Sequence, residues 1–404
     1  MTFACRRASV VSFSILLVAA VTGVVAESSA APTGNSPNRC RVAAGFSGSS
    51  AQDCNGKPQP SSGRNLHRVL RQADPSALRR ASGAPTSTMA RSGDVTILAG
   101  PPFSFRSPVG IASSGSHLWV TNLKGNSVTE LAASDGHPIR KISGGAYGFD
   151  RPDAIASDGT HIWVGNFYGN SVTELSASDG SWIGTLSGGA FGFENPAAIV
   201  MSSGHLWVAN FGGGSVTEID ATDGRWMRTV APGSDALNEP CALAIATGRL
   251  WVANCGSSSV TVMGATDGSY VQKLSGSWFG FDEPDAIATD GTHVWVVNGE
   301  GNSVVDLHAA TGTRGAILTG ASFGFRAPGA IAFDGAHLFV TNAGGNSIAK
   351  ISAGSDRKTG TVSGRAAGLD IPSGIAIANG RIWVTDAGSN AMTEIASMVP
   401  GAGS

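Results

Sequence analysis

The sequence predicts an all-β chain folded as a seven-bladed β-propeller of 44-residue, four-stranded repeats closed by an N-terminal strand. Three observations predict it. Pro108, Pro152, Pro196, Pro240, Pro284, Pro328 and Pro372 recur 44 residues apart without an insertion. A fixed period of this length marks units that bury their apolar faces only against their neighbours. The composition agrees: 42% of the 404 residues are apolar, 14% are charged and 56 are glycine, which suits many short strands joined by tight turns. Finally, the last unit stops after "MTEIAS" without a fourth strand. The missing piece stands at the other end, where "VTILAGPPFSFRSP" (Val95 to Pro108) matches the fourth strand and connector "AILTGASFGFRAP" of another unit.

Residues 1–26 read as a signal peptide: Arg6 and Arg7, an apolar run from Ala8 to Ala26, and small residues at the end of that run where a peptidase fits them. The alternative is a retained anchor, since the run is about as long as a short membrane-spanning helix. Either reading places the bulk of the chain outside the cytoplasm, secreted or associated with the cell envelope, and cleavage leaves no membrane span.

Residues 27–94 form a basic arm with nine Arg or Lys against four Asp or Glu, a net +5. The residues that follow carry 16 against 25, a net −9. The arm is rich in Ser, Pro, Gly and Arg, with a short helix suggested around "NLHRVLRQ", and otherwise reads as flexible. Its charge is too dilute for a nucleic-acid partner, and the acidic body repels phosphates.

Residues 95–404 hold the propeller. The unit from Pro152 to Asn195 divides at its turns into "AIAS", "HIWVGN", "SVTEL" and "WIGTLS", four antiparallel strands joined by hairpins. Asp-Gly and Asn-Gly pairs recur at the corners, where glycine reaches the positive φ that tight hairpins need. "AIA" and "IWV" do not alternate with polar residues, as befits a sheet covered on both faces. Ring closure requires Val95 to Gly100 to pair with the strand near Ala391 to Ala396, which removes both free sheet edges.

The pattern P-x-[AG]-I-A, [IL]-W-V-x-N, N-S-[VI] resembles the NHL and YVTN type of extracytoplasmic propeller repeat and, more distantly, streptogramin lyase repeats. The resemblance implies the fold strongly and an activity weakly. It also implies that lyase repeats carry Glu where these blades carry Asn after W-V-x.

Repetition separates scaffold from site. His117, His161, His205, His293 and His337 share one repeat position with Arg249 and Arg381, so they read as scaffold, because catalysis needs its group once. Trp119, Trp163, Trp207, Trp251, Trp295, Phe339 and Trp383 read as core between blades. Asn122, Asn166, Asn210, Asn254, Asn298, Asn342 and Asp386 end the second strand, where a short polar side chain bonds the turning backbone.

Function is then sought where the repeat breaks, on the face that carries the connectors between blades and the loops between second and third strands. Asp282, Glu283, Asp285 and Glu300 form an acidic set there in blade 5, and Asp150 and Asp153 a smaller one in blade 2. They read as solubilising rim charges or as a site for a cation or cationic ligand. Tyr168, with Lys124, Phe167 and Phe211 at matching loop positions, offers contact area to a partner. Trp182, Trp226 and Tyr270 on the outer strands read as packing first, and as a glycan-stacking surface second.

The expected function is a binding or scaffold module, monomeric and without a cofactor, for a protein, peptide or glycan. The alternatives are a streptogramin lyase-like enzyme, or a lactonase-like hydrolase holding a divalent cation in the channel near Asp153 and Asp285. His137 and His308, which break register, fall beside the turns between third and fourth strands, on the opposite face from the connectors, and so argue against a lyase. No Ser-His-Asp set, CxxC pair or phosphate loop is apparent. Of the cysteines, Cys5 belongs to the signal. Cys241 and Cys255 flank the first hairpin of blade 4 and oppose each other if a small bulge corrects the register, which leaves Cys40 and Cys54 to close the arm. Two separate buried thiols are the alternative in blade 4.

Overall fold

Each repeat folds as one four-stranded antiparallel sheet, and seven such sheets make a ring. The computed structural model describes residues 89–92, 94–231, 233–363 and 367–396; the signal segment, most of the arm and the Cys40 and Cys54 pairing lie outside them. Blade 2 is representative, with strands Pro152–Ser157, His161–Asn166, Ser171–Ser176 and Trp182–Leu186 running from the channel outward. Among the described residues no helix is long and apolar enough to cross a membrane.

Blade 7 is assembled from both ends of the ring. Its strands Pro372–Ala378, Arg381–Asp386 and Ala391–Ile395 are completed by Val95–Ala99, in the register Val95↔Ile395 to Ala99↔Ala391. Leu98 is fully buried there against Trp383 and Met392 of blade 7 and Leu118 of blade 1. A fifth strand, Met89–Ser92, adds to the outside of this sheet through Met89↔Leu98 to Ser92↔Val95. The arm thus contributes a strand that its polar sequence does not announce.

The core lies between blades. Trp163 packs on Leu206, Val208 and Ile219 of blade 3, and Trp119 on Ile162, Val164 and Leu175 of blade 2, each tryptophan fully buried. The second strands carry five consecutive buried residues, because both faces of every blade are covered.

The repeated histidines have a structural task. Glu130 of the third strand is completely buried and meets His117 Nδ1 at 2.6 Å and Arg140 Nε at 2.6 Å; Glu218 meets His205 and Arg228 in the same way. A buried carboxylate is costly unless it is paired, and the flanking strands supply an arginine and an imidazole to it. In blade 2 the Arg position is Gly184, which pairs in register with Glu174. Burial pushes the Glu174 carboxyl up, with His161 partly opposing.

Candidate binding site at the connector-face mouth

Two devices build the connector face. First, the residue after each repeat proline sits in a β-bulge: Pro240 opposes Asn254 and Ala242 opposes Ala253, which leaves Cys241 extra, and Pro284 opposes Asn298 while Ala286 opposes Val297, which leaves Asp285 extra. A bulge re-aims its side chain. In this ring the bulged residues Asp153, Cys241, Asp285 and Ser373 all line the central channel, a cavity of about 210 Å³. Second, each residue before the proline has a left-handed backbone, including Arg151 (φ 50°), Glu283 (φ 52°) and Ile371 (φ 52°). In six of the seven its N–H is held by a side chain of the preceding blade, as Asn126 Oδ1 accepts from Arg151 at 2.9 Å, Asn302 Oδ1 from Ala327 at 2.8 Å, and Ser258 Oγ from Glu283 at 3.1 Å; before Glu239 that position is Gly214. The N-S-[VI] asparagine is therefore a stitch between blades.

The acidic rim divides into two layers, which corrects the reading of a uniformly exposed set. Asp150, Asp282 and Glu300 are exposed, whereas Asp153, Glu283 and Asp285 are buried. The bulge turns Asp153 and Asp285, the residues after the prolines, inward, and Glu283, before its proline, has the left-handed backbone. Asp285 also needs Gly299: a Cβ there would stand 2.5 Å from Asp285 Oδ2. The other blades fill that loop position with Leu123, Phe167, Phe211, Cys255, Ala343 and Ala387. An unexpected Gly paired with an Asp was the available sequence signal.

Phe167 and Phe211 are buried, not presented to a partner; they pack with Cys241 and Cys255 in one apolar cluster, their rings 5.9 Å apart. Tyr168 is 43% exposed, with the Arg151 guanidinium over its ring at 4.6 Å. Lys124 is half-buried. Trp182, Trp226 and Tyr270 are about half exposed; Trp182 Nε1 donates to Thr185 Oγ1 at 3.0 Å, and Trp226 does the same to Thr229.

Cys241 and Cys255 form a disulfide with Cα atoms 6.1 Å apart. The bulge at Cys241 supplies the register correction that the pairing requires. Both sulfurs and a carboxylate oxygen of Asp285 lie within 4.8 Å of one another, but as a disulfide the sulfurs offer no thiolate to a metal. Asp153, the other carboxylate considered for a channel cation, is outside that group.

Charge is unevenly spread around the mouth. Among the connector and second-loop residues whose side chains are described, the basic ones are Arg106, Lys124, Arg151 and Arg326, all in blades 1, 2 and 6; those of blades 3 to 5 contribute Glu194, Glu239, Asp282, Glu283, Asp285 and Glu300 and no cation. The seven described histidines stand at the other face, on or beside the turns after the first and third strands.

Solved structures share this architecture. A streptogramin B lyase matches at 19% identity over 73% of this chain and 94% of its own, with a TM-score of 0.58. A catalytically inactive virginiamycin B lyase from Staphylococcus aureus, solved with quinupristin, matches at 18% over 74% and 98% with a TM-score of 0.61. The hydrazine synthase of Kuenenia stuttgartiensis matches at 19% over 73% and 97%, also at 0.61. At such identities the likeness is one of fold. No family model and no curated protein matches the sequence.

Proposed function

We propose that the chain is an exported binding module, built from NHL/YVTN-type repeats, whose connector face takes a protein or peptide partner through a cationic side chain seated in the channel mouth. The observation that carries this reading is the placement of Asp153 and Asp285, two buried carboxylates aimed by bulges into one narrow channel. Charges of one sign in a cleft with low-dielectric walls focus their field on an approaching cation. Size supports a side chain rather than a free metabolite: about 210 Å³ is below the roughly 300–1,000 Å³ of small-molecule pockets, but holds a lysine or arginine tip. Lyase or lactonase chemistry is less favoured, since the described histidines face the other way. The Cys241–Cys255 bond supports an oxidising compartment, in keeping with export through residues 1–26.

The test is calorimetry with an acetyl-Gly-Arg-Arg-Gly amide and its citrulline counterpart on the full chain. The arginine peptide is expected to bind and to weaken with salt, and Asp285→Asn to weaken it roughly tenfold, the cost of one charge-assisted contact. Equal binding of the citrulline peptide, or an unchanged Asp285→Asn, refutes the proposal.

A further inference from the structure

Blade 2 has an outer edge unlike those of the other blades. The fourth strands of blades 1, 3, 4, 5 and 6 each carry at least one arginine or lysine, and charge on an edge strand guards it against pairing with a further strand. Two fourth strands carry no charge: Val95–Ala99, "VTILA", and Trp182–Leu186, "WIGTL". The first is covered by Met89–Ser92, which pairs along it through the backbone. The second is the outermost described strand of its sheet, and it presents Trp182 and Ile183, 48% and 45% exposed.

Under that edge lies a carboxylate short of a partner. In blade 3, Arg228 meets Glu218 Oε2 at 2.7 Å and donates to the Asp267 carbonyl, in a turn of blade 4, at 2.6 Å. One repeat earlier the corresponding residues are Gly184, Glu174 and Asp223. Glu174 is nine-tenths buried, accepts no hydrogen bond among the described residues, and comes no closer to His161 Nε2 than 3.8 Å. Its Oε2 stands 4.0 Å from where a Cβ at Gly184 would be and 3.9 Å from where one at Gly224 would be. Glycine on both sides leaves a slot to the carboxylate where blade 3 has its arginine.

The register of blade 7 shows how a strand from outside reaches that slot. Thr96 pairs there with Glu394 as Gly184 pairs with Glu174 in blade 2, and the residue of the added strand opposite Thr96 is Arg91. A strand added to blade 2 in the same register places one residue opposite Gly184. Directly opposed Cβ atoms are about 5 Å apart, so an arginine at that position starts no more than about 9 Å from Glu174 Oε2. Extended, it closes the span with a hydrogen bond of about 2.8 Å.

We propose that the outer edge of blade 2 takes an extended segment of another protein as a fifth strand, with an arginine of that segment entering the slot at Gly184 to pair with Glu174. Ladder hydrogen bonds supply affinity for any extended backbone, and the buried carboxylate selects the arginine. Trp182 and Ile183 add apolar contact beside it. This edge lies on the outside of the ring, and the proposal does not depend on the channel mouth.

The test is fluorescence anisotropy on the full chain with labelled acetyl-Thr-Val-Arg-Val-Thr amide. Wild type is expected to bind it, to bind the citrulline counterpart about tenfold more weakly, and not to bind the peptide with both valines changed to proline, which cannot join a ladder. Gly184→Arg fills the slot from within and is expected to abolish binding, with an unchanged circular dichroism spectrum. Glu174→Gln is expected to weaken binding about tenfold. No binding to wild type overturns the proposal, as does equal binding of the citrulline or proline peptide. Binding unchanged in Gly184→Arg or Glu174→Gln places the peptide elsewhere, the channel mouth included, and overturns it as well. Self-association of wild type that Gly184→Arg removes has the same effect, since the edge then belongs to a second copy.

Discussion

Asp386 takes the place that asparagine holds in the other six blades, and Asp386→Asn is expected to stabilise the protein in a pH-dependent way. In blade 1, Asn122 Nδ2 donates to Thr129 Oγ1 at 2.9 Å, and Thr129 passes its own proton to the Phe103 carbonyl at 3.1 Å; Asn122 Oδ1 accepts from the Arg106 N–H. In blade 7, Asp386 Oδ1 accepts from the Asp370 N–H, while Oδ2 lies 2.8 Å from Thr393 Oγ1, itself 3.3 Å from the Ala367 carbonyl. An ionised Asp386 leaves one hydroxyl proton for two acceptors. Protonated, it restores the relay. Full burial drives the carboxyl well above its usual range, against the hydrogen bonds from Thr393 and Asp370. Because the folded form holds its proton at pH values where the unfolded chain has lost it, this group costs stability as pH rises above the unfolded value near 3.9, at about 1.4 kcal/mol per pH unit until the folded group ionises. Asparagine does not titrate. The variant should gain about 1–3 kcal/mol at neutral pH, the range for a buried polar group left unsatisfied, and little at pH 4. For a ring of about 300 residues this raises Tm by roughly 2–5 °C. Thermal melts from pH 4 to 8 measure it, and a difference that is constant across that range refutes the argument.

Gly184→Arg should recreate in blade 2 the buried pairing of Glu130 with Arg140: the nearest atom to a Cβ at 184 is Glu174 Oε2 at 4.0 Å, and the strand register already places the two residues opposite. A gain of about 1–2 kcal/mol and a lowered Glu174 carboxyl pKa in an NMR titration are expected. Leu98→Ala should cost about 2–5 kcal/mol by opening a cavity at the closing strand, read as a lower urea midpoint; a change below about 0.5 kcal/mol denies that strand its role in closing the ring.

The ring was legible because its signals are periodic and repeated. Seven prolines fix the blade count, and a unit lacking its fourth strand at one end, with a spare at the other, fixes the closure. The Cys241–Cys255 bond was legible because hairpin geometry limits partners. The layers of the site were not. Glu283 and Asp285 lie two residues apart in a polar connector, and only the bulge and the left-handed residue before the proline turn them from the rim to the interior. Phe167 and Phe211 stand in a loop, where an aromatic residue usually signals exposure, yet they cover the disulfide. Trp182 resembles the core tryptophans in type but sits on the outermost described strand of its blade. "MARS" has no apolar pattern, and Met89–Ser92 pairs through the backbone.

The direction of the closing pair also fixes how the ring responds to tension. Val95 and Ile395 meet at the same end of an antiparallel ladder, so a load applied to the two strands from those ends falls on one hydrogen-bonded pair at a time rather than on all five together. The joint opens by unzipping from Val95 toward Ala99. Met89–Ser92 delays this only briefly, since a pull from Met89 peels that strand first. Contacts that hold the ring shut against heat, because all must fail at once, thus give way in sequence under force; in a stretching experiment blade 7 should yield before any blade built from one continuous segment.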